Sequence, residues 1–489
     1  MHSSDMYLIK SNIFRIILAF LFTASSALIF FIPYFWMIYF TIVFSIIAYI
    51  IVIFDLQLFF LKLFAFLLPF SIEVPLIGDA RIFIPGEPLI AIAVWILIID
   101  FFVNPNQFFP KVFSELVWLI PLLSAFILTV PFSQMIEVSV KFSFVNIVYI
   151  LVFYIYFMKI FSSHPKIYLQ LLMIYGLGFF LVTLWAIYQY WKWDWNPEVV
   201  GGIFQPFFKD HTAFSATAAI LGGFWLASFF LEKLSLTKLL SLLLGVFFIV
   251  WIILSSSRAG FLSVIFSLIV FIILLMKVRF RNLALLTLII ASVMIIYRNE
   301  ISMQMQNIKK VSHDSNAGLI DKTLSSGNVT TDVSNIERLN RWISALRMFR
   351  EKKFTGFGPG SYQFTYIPYQ DEAYKNRLTV TNPWDVPENS GGTAHSEYFL
   401  AMSEMGILGL LGWISLIGRW LYIVFKKDVN PYHRKNIVIA FVALSTYLFH
   451  GLFNNFLNTD KVAFLFWATA AWLTVNYNLS NEQRVLQAS

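Results

Sequence analysis

Two hydrophobic runs joined by a short polar turn occupy residues 238–277, KLLSLLLGVFFIVWIILSSSRAGFLSVIFSLIVFIILLMK. Each run is close to the twenty or so apolar residues that a helix needs to cross the hydrocarbon core of a bilayer. The turn, Ser255-Ser256-Ser257-Arg258-Ala259-Gly260, carries the one charge between the two runs. The pattern predicts two membrane-spanning helices that meet at an arginine.

Apolar runs of similar length, separated by polar segments, occur along the rest of the chain. Of its 489 residues, 59% are hydrophobic and 13% are charged, whereas a soluble domain has about a quarter charged residues. We predict an all-α polytopic membrane protein with about fourteen transmembrane helices and one large periplasmic loop that contains amphipathic helices. The predicted spans lie near residues 13–32, 34–54, 56–72, 87–103, 113–130, 144–162, 167–189, 211–232, 238–256, 259–277, 281–298, 395–424, 437–453 and 462–477. We expect the first span to be retained, because another span follows it at once.

Charge and cysteine content constrain the orientation and the compartment. Lys and Arg cluster in alternate short loops, so the positive-inside rule places both termini in the cytoplasm. The net charge of +8 is therefore assigned to membrane orientation, and no nucleic-acid partner is predicted. The chain has no cysteine, which excludes disulfides and thiolate metal sites. We predict a multi-pass protein of a bacterial inner membrane.

The predicted spans divide the chain into four segments. Residues 1–200 are predicted to hold N-terminal transmembrane helices, 201–298 central transmembrane helices with the Arg258 turn, 299–394 the large periplasmic loop, and 395–489 C-terminal transmembrane helices. Trp191, Trp193 and Trp195, with Tyr188 and Tyr190, form an aromatic cluster of the kind that anchors helices at headgroup level. We therefore expect that cluster to lie at the outer face of the membrane, as the large periplasmic loop does.

The large loop has three kinds of sequence. Residues 316–334 are rich in Ser, Thr, Asn and Gly, and we predict a mobile segment. From Ile336 to Arg350, apolar residues recur at helical spacing among arginines, which predicts a basic amphipathic helix lying on the membrane or capping the bundle. The glycines and the proline of 355–362, TGFGPGSY, predict a tight, exposed turn.

Several polar residues are candidates for binding a phosphate. Arg258 is either a snorkelling interface residue or a phosphate clamp, because a guanidinium can pair with a phosphate through two hydrogen bonds. Lys209, Asp210 and His211 begin a predicted helix, whose N-terminal amides favour anions, although Asp210 can serve as a cap alone. Arg341 can bind either a diphosphate or anionic headgroups.

His395 is the candidate general base. It lies where the large loop meets a predicted helix, with Ser396 and Glu397 beside it. Its unperturbed pKa of about 6.5 suits removal of a proton from a sugar hydroxyl. The alternative is an interfacial histidine that helps to cap the helix.

Absent motifs restrict the chemistry. The chain has no Asp-x-Asp, no His-Glu-x-x-His and no Walker-type glycine loop, so we predict no metal site and no cofactor. The energy for a reaction would then come from the substrate. A lipid-linked sugar diphosphate meets that requirement, because arginine and lysine can stabilise its leaving group.

The arrangement resembles the O-antigen ligase and O-antigen polymerase superfamily of bacterial envelope glycosyltransferases. The resemblance covers mainly residues 200–475 and depends on three stretches in order, with 85–88, PGEP, similar to a segment of some members. The three stretches are 255–260, SSSRAG; Arg341-Trp342 through Ala345 and Met348 to 356–360, GFGPG; and 395–398, HSEY, through 404–409, EMGILG.

The resemblance implies a C-type glycosyltransferase-like fold and metal-independent transfer at the periplasmic face. The implied donor is a glycan on polyprenyl diphosphate such as undecaprenyl diphosphate, and the acceptor is lipid A core or a growing glycan, in lipopolysaccharide biosynthesis. Arg258 and His395 occupy the positions of the functional arginine and histidine, and Lys209, Asp210, His211, Arg341 and Glu397 are predicted to contact substrate. Two departures are Lys209, where some ligases have an arginine nearby, and Ser396, where many relatives have asparagine.

Overall fold

The computed structural model of the protein describes residues 35–75, 81–103, 105–233, 235–297, 333–375 and 392–488. Most of these residues are helical. The α-helices, in chain order, are α1 (Phe35–Ile53), α2 (Gln57–Leu67), α3 (Gly86–Val103), α4 (Pro105–Leu128), α5 (Ile136–Ile150), α6 (Phe157–Ser163), α7 (Ile167–Lys192), α8 (His211–Leu231), α9 (Leu236–Leu254), α10 (Arg258–Leu275), α11 (Phe280–Ile296), α12 (Val333–Glu351), α13 (Tyr362–Thr365), α14 (Glu397–Phe425), α15 (Pro431–His450) and α16 (Asp460–Ala488). A π-helical turn, Leu151–Tyr156, joins α5 to α6. Short 3-10 turns lie at Leu68–Phe70, Val130–Phe132, Pro197–Gly201, Ile367–Tyr369 and Glu372–Tyr374.

The predicted spans coincide with helices wherever the structure describes them. Within the described ranges, 8 helices are long and apolar enough to cross a membrane, and shorter apolar helices lie at Tyr39–Ile53, Gln57–Phe70 and Phe280–Ile289. The predicted span 13–32 lies outside the described residues, as does almost all of the segment 316–334 that was predicted to be mobile. A multi-pass helical architecture is confirmed, while the number of crossings stays a prediction.

One feature corrects the all-α prediction. The described part of Met1–Pro110, together with Leu169–Gly178, forms one compact unit, and it contains a β-hairpin. Strand β1 (Ile72–Pro75) pairs antiparallel with β2 (Arg81–Ile84). Four-residue strands are too short for their alternation of side chains to be distinguished from a loop in the sequence.

A second compact unit comprises Lys111–Tyr168 and the described part of Phe179–Ser489. Within it, α8 packs against α9, α10, α15 and α16. Small residues make this central position possible, because a Cβ on Gly223 would lie 2.7 Å from Cγ2 of Thr446 in α15. Helix α8 is therefore the centre of the unit, and its first turn is fixed against several neighbours.

Several helix ends of this unit meet at what we call the polar end, defined by the starts of α8, α10 and α14 and the end of α15. Gly260 in α10 lies against α8, since a Cβ there would be 1.9 Å from Oγ of Ser215. The backbone N–H of Glu397 donates to the carbonyl oxygen of Gly451 at 2.8 Å, which joins α14 to α15. His450, the last residue of α15, interacts electrostatically with Asp210, which precedes α8.

Candidate active site

Helix α12 covers part of the bundle beside the polar end. The predicted amphipathic helix is confirmed, and of its two predicted placements the structure shows the one against the bundle. Trp342 stacks on Phe399 of α14 with ring centroids 5.4 Å apart. Ala345 and Met348, each 0% exposed, belong to the same buried cluster. The apolar stripe that identified this helix in the sequence is only partly buried, and its Leu346 is 38% exposed, so the face that packs on α14 is a neighbouring one.

The glycine-rich turn after α12 fills a break in α14. Gly406 has φ 60° and ψ −146°, which interrupts the helix. The N–H groups of Phe357 and Gly358 donate to the carbonyls of Ser403 and Glu404 at 3.1 and 2.8 Å, and the N–H of Ile407 donates to the Lys353 carbonyl at 2.7 Å. Backbone groups released by a break must be paired when they are buried. The turn at 355–362 supplies these partners.

This arrangement corrects the prediction of an exposed turn. The turn is tight, with positive φ at Gly356, Gly358 and Gly360, but residues 356–362 are buried. The Glu404 carboxylate, 1% exposed, accepts the N–H groups of Gly360 and Tyr362 at 2.8 and 2.9 Å. Composition indicated a turn correctly, but it could not show that a broken helix would enclose it.

Replacing Gly356 with alanine tests this fit. A Cβ at Gly356 would lie 2.2 Å from the Glu404 carbonyl oxygen, and the residue has φ +63°. A left-handed alanine and overpacking together cost roughly 2–5 kcal/mol, so we expect a lower unfolding temperature in detergent. Gly418→Ala is the matched control, because a Cβ there meets nothing within 4 Å and alanine favours a helix. Equal unfolding temperatures for the two variants would contradict the close packing of Gly356 against Glu404.

His395 lies on a strained turn immediately before α14. Its φ of 50° is in the left-handed region, where a side chain with a Cβ is disfavoured. Helix α14 begins at Glu397, and its N-cap is Ser396, whose hydroxyl accepts the N–H of Phe399 at 3.5 Å. The predicted alternative role of His395 as a cap is therefore filled by Ser396. The His395 side chain is 33% exposed, so a substrate can reach it.

The nearest ionised partner of His395 comes from α12. Nε2 of His395 lies 3.6 Å from Oε1 of Glu337, which is 16% exposed. The same oxygen accepts a hydrogen bond from Nε of Arg341 at 3.1 Å, and the Nη2 atom of that guanidinium lies 3.0 Å away in an ion pair. Arg341 also donates to the Thr393 carbonyl at 2.9 Å. Arg341 is 1% exposed and paired within the protein, and its contact with a diphosphate or with headgroups stays a prediction.

Burial and charge set the protonation states of this pair in opposite ways. Burial lowers the pKa of His395 below its ordinary 6.5, the charges of Arg341 and Arg338 act in the same direction, and Glu337 opposes them. For Glu337, burial alone would raise the pKa. The contact with His395 and the charges of Arg341 and Arg338 outweigh burial and hold the pKa of Glu337 at about 2. At neutral pH the pair is therefore a neutral imidazole beside a carboxylate.

The other predicted residues lie at the same polar end. Asp210 caps α8, because its carboxylate accepts the N–H groups of Thr212 and Ala213 at 2.8 Å each, so the predicted cap is confirmed. Lys209 is exposed and His211 is half-buried at the helix start. Arg258 is the first residue of α10, where Ser257 is the N-cap. The structure thus places the Arg258 turn and His395 at one end of the bundle.

Glu397 contacts other protein groups. It is 9% exposed, and its Oε1 accepts the Tyr447 hydroxyl at 2.6 Å and the Leu457 N–H at 2.9 Å. These bonds fix the segment after α15 beside the His395 turn. Substrate contact by Glu397 stays a prediction, while a positioning role follows directly from its partners.

Three residues at this end, Glu337, Arg338 and His450, were not singled out as site residues from the sequence. Glu337 and Arg341 are four residues apart on a helix, a spacing that predicts a salt bridge but not a neighbouring histidine. Arg338 acts electrostatically on both His395 and His450. His450 is 0% exposed, its Nε2 bonds the Asn454 amide at 3.0 Å, and its Nδ1 has no hydrogen-bond partner among the described residues. Only the fold brings these groups together.

Comparison with known proteins supports one family. A family model described as O-antigen ligase matches residues 243–414, a range that includes both Arg258 and His395. The resemblance inferred from the sequence is confirmed for that stretch, and the match indicates a function of the O-antigen ligase or polymerase type. Neither a curated protein nor a solved structure matches the chain.

Proposed function

We propose, from the match of an O-antigen ligase family model to residues 243–414, that the protein transfers a glycan from a polyprenyl-diphosphate donor to an acceptor hydroxyl at the periplasmic face of a bacterial inner membrane. One observation carries the proposal. An accessible imidazole and an arginine turn, both within the family match, lie at the same end of the helical unit. A transferase that acts at one face of a membrane needs its general base and its phosphate-binding group at that same face.

The reaction follows from these two groups. Neutral His395 takes the proton from the acceptor hydroxyl, and the acceptor oxygen bonds to the anomeric carbon of the donor glycan. The bond from that carbon to the phosphate oxygen breaks, and its electron pair leaves with the polyprenyl diphosphate. Arg258, helped by Lys209, stabilises the departing charge, because cationic donors aimed at developing negative charge favour the transition state.

Ligase and polymerase differ in the acceptor. A ligase transfers the glycan to lipid A core in lipopolysaccharide biosynthesis, whereas a polymerase uses the growing end of another lipid-linked chain. We propose the ligase reaction, in agreement with the description of the matching family. A deletion strain tests the choice, since loss of a polymerase leaves a single repeat on the core and loss of a ligase leaves none.

Purified protein in detergent provides the direct test. We expect it to form a new glycosidic bond when it is supplied with a glycan on undecaprenyl diphosphate and lipid A core, detected by mass spectrometry of the acceptor. A transporter of lipid-linked oligosaccharide would bind the donor but form no bond in detergent. Donor binding without transfer would therefore indicate that the protein is a carrier and would contradict the proposed enzyme activity.

Replacing Arg258 separates donor binding from proton transfer. We expect Arg258→Ala to reduce transfer by about 10²–10³-fold, because one charged donor to the leaving group is lost. Arg258→Lys should fall between wild type and alanine, since lysine keeps the charge but loses the planar fork. The control is Arg279→Ala, an exposed arginine that precedes α11. Equal rates for Arg258→Ala and Arg279→Ala would remove Arg258 from the mechanism.

A further inference from the structure

A carboxylate on α12 meets the histidine that precedes α14. Oε1 of Glu337 lies 3.6 Å from Nε2 of His395. Two nitrogens of the Arg341 guanidinium contact the same oxygen at 3.1 and 3.0 Å. The guanidinium therefore holds the carboxylate in place, while the carboxylate faces the imidazole.

Helix α12 also holds the backbone that carries His395. Arg341 donates to the carbonyl of Thr393, two residues before the histidine, at 2.9 Å. On the other side of the turn, the Ser396 hydroxyl donates to the Gly451 carbonyl at 3.1 Å. A left-handed residue such as His395 persists only where its surroundings fix it. The position of the imidazole is thus determined by α12 and by the end of α15 together.

We propose that Glu337 is the positioning residue for His395. Its carboxylate faces Nε2 of the imidazole at 3.6 Å, favours the proton on that nitrogen and so leaves Nδ1 free to accept the proton of the acceptor hydroxyl. This inference rests on the proposed function, because it assigns the orientation of the general base used there. A histidine base is commonly held in one tautomer by an acceptor on its other ring nitrogen.

The charge of Glu337 is useful during the reaction itself. When His395 takes a proton it becomes a cation close to Arg338 and Arg341, which disfavour a further positive charge. The carboxylate offsets their effect and stabilises the imidazolium. With a pKa of about 2, Glu337 keeps its negative charge at neutral pH.

The competing interpretation is that Glu337 only pairs with Arg341 along one helix turn. Such a pair would affect folding, and it would leave the titration of His395 unchanged. Glu337→Gln keeps the size of the side chain and removes the charge, so it separates the two roles. Glu337→Asp keeps the charge on a shorter side chain, and Glu351→Gln is the control on α12, where the exposed carboxylate accepts the Tyr369 hydroxyl at 2.7 Å.

Transfer rates over a range of pH provide the first readout. We expect Glu337→Gln to lower kcat by about 10–100-fold, in the range found when partners that orient a functional histidine are lost, with KM for the donor within about twofold of wild type. Glu337 opposes the other groups around His395, so its removal lowers the histidine pKa and moves the acid limb of the profile to lower pH. We expect Glu337→Asp to restore part of kcat and Glu351→Gln to match wild type.

A second readout does not require activity. Neutral histidines react with diethylpyrocarbonate, and the difference between wild type and His395→Asn isolates the reaction of His395. Its pH dependence should shift to lower pH in Glu337→Gln. If His395→Asn is inactive but Glu337→Gln leaves both pH profiles unchanged, this inference is wrong and the proposed function stands. Full transfer by His395→Asn would overturn both.

Discussion

Replacing His395 with asparagine is expected to reduce glycan transfer by about 10²–10⁴-fold, the usual contribution of a positioned general base. Asparagine is the better test residue because it tolerates the left-handed backbone, with φ of 50° at this position. The variant should therefore keep its fold while losing the imidazole. Donor binding, assigned to Arg258 at the start of α10, should be unchanged.

The pH dependence of wild-type transfer gives a matching signature. The imidazole accepts a proton only in its neutral form, so activity falls as the pH drops through the pKa of His395. Because that pKa lies below 6.5, we expect full activity at pH 7 and loss only in more acidic solution. His164→Ala is the control, since His164 is exposed and lies between α6 and α7. A rate that falls between pH 8 and pH 7 would assign the base to a different group.

The sequence was sufficient for the individual helices because their signals are local. A run of apolar residues such as 238–256 predicts a span without reference to the rest of the chain. The helical spacing of Ile336, Leu339 and Ile343 likewise predicted α12, although the buried face that packs on α14 carries Ala345 and Met348. The turn at 355–362 was recognised for the same reason, since its glycines adopt positive φ.

The contacts that build the site depend on tertiary structure. Nothing near Gly356 in the sequence indicates that Gly406 breaks α14 at the point where the turn docks. Glu337 is separated from His395 by the rest of the large loop, so only the packing of α12 on α14 brings them together. Patterns of charge and hydrophobicity describe one element at a time, and they contain no information on which elements meet.

The largest effect on stability is expected from breaking an ion pair between α4 and α14. Arg419 contacts the Glu115 carboxylate through two nitrogens, at 3.0 and 2.5 Å. Glu115 is 1% exposed and Arg419 is 8% exposed. The guanidinium also lies 5.0–5.6 Å from the ring centroids of Trp118, Tyr422 and Tyr477. The pair is thus buried within an aromatic cage.

Arg419→Met is expected to destabilise the protein by about 3–5 kcal/mol, because it leaves the Glu115 carboxylate buried without its partner. Glu115→Leu should have a cost in the same direction, since it leaves the guanidinium without its partner. The double variant, Glu115→Leu with Arg419→Met, should recover most of the loss, because both desolvation penalties disappear together. Thermal unfolding in detergent measures all three, with Gly418→Ala as the control on α14.

The double variant decides what the pair contributes. Recovery in the double variant would show that the pair adds little net stability over apolar side chains, and that its effect is to join α4 to α14 in one register. Additive losses in the double variant would instead show that the two residues act independently, through their separate aromatic neighbours. Since α14 carries the His395 turn at its other end, transfer activity should follow the stability of these variants. A double variant that melts like wild type but transfers no glycan would show that this ion pair affects the site through the register of α14.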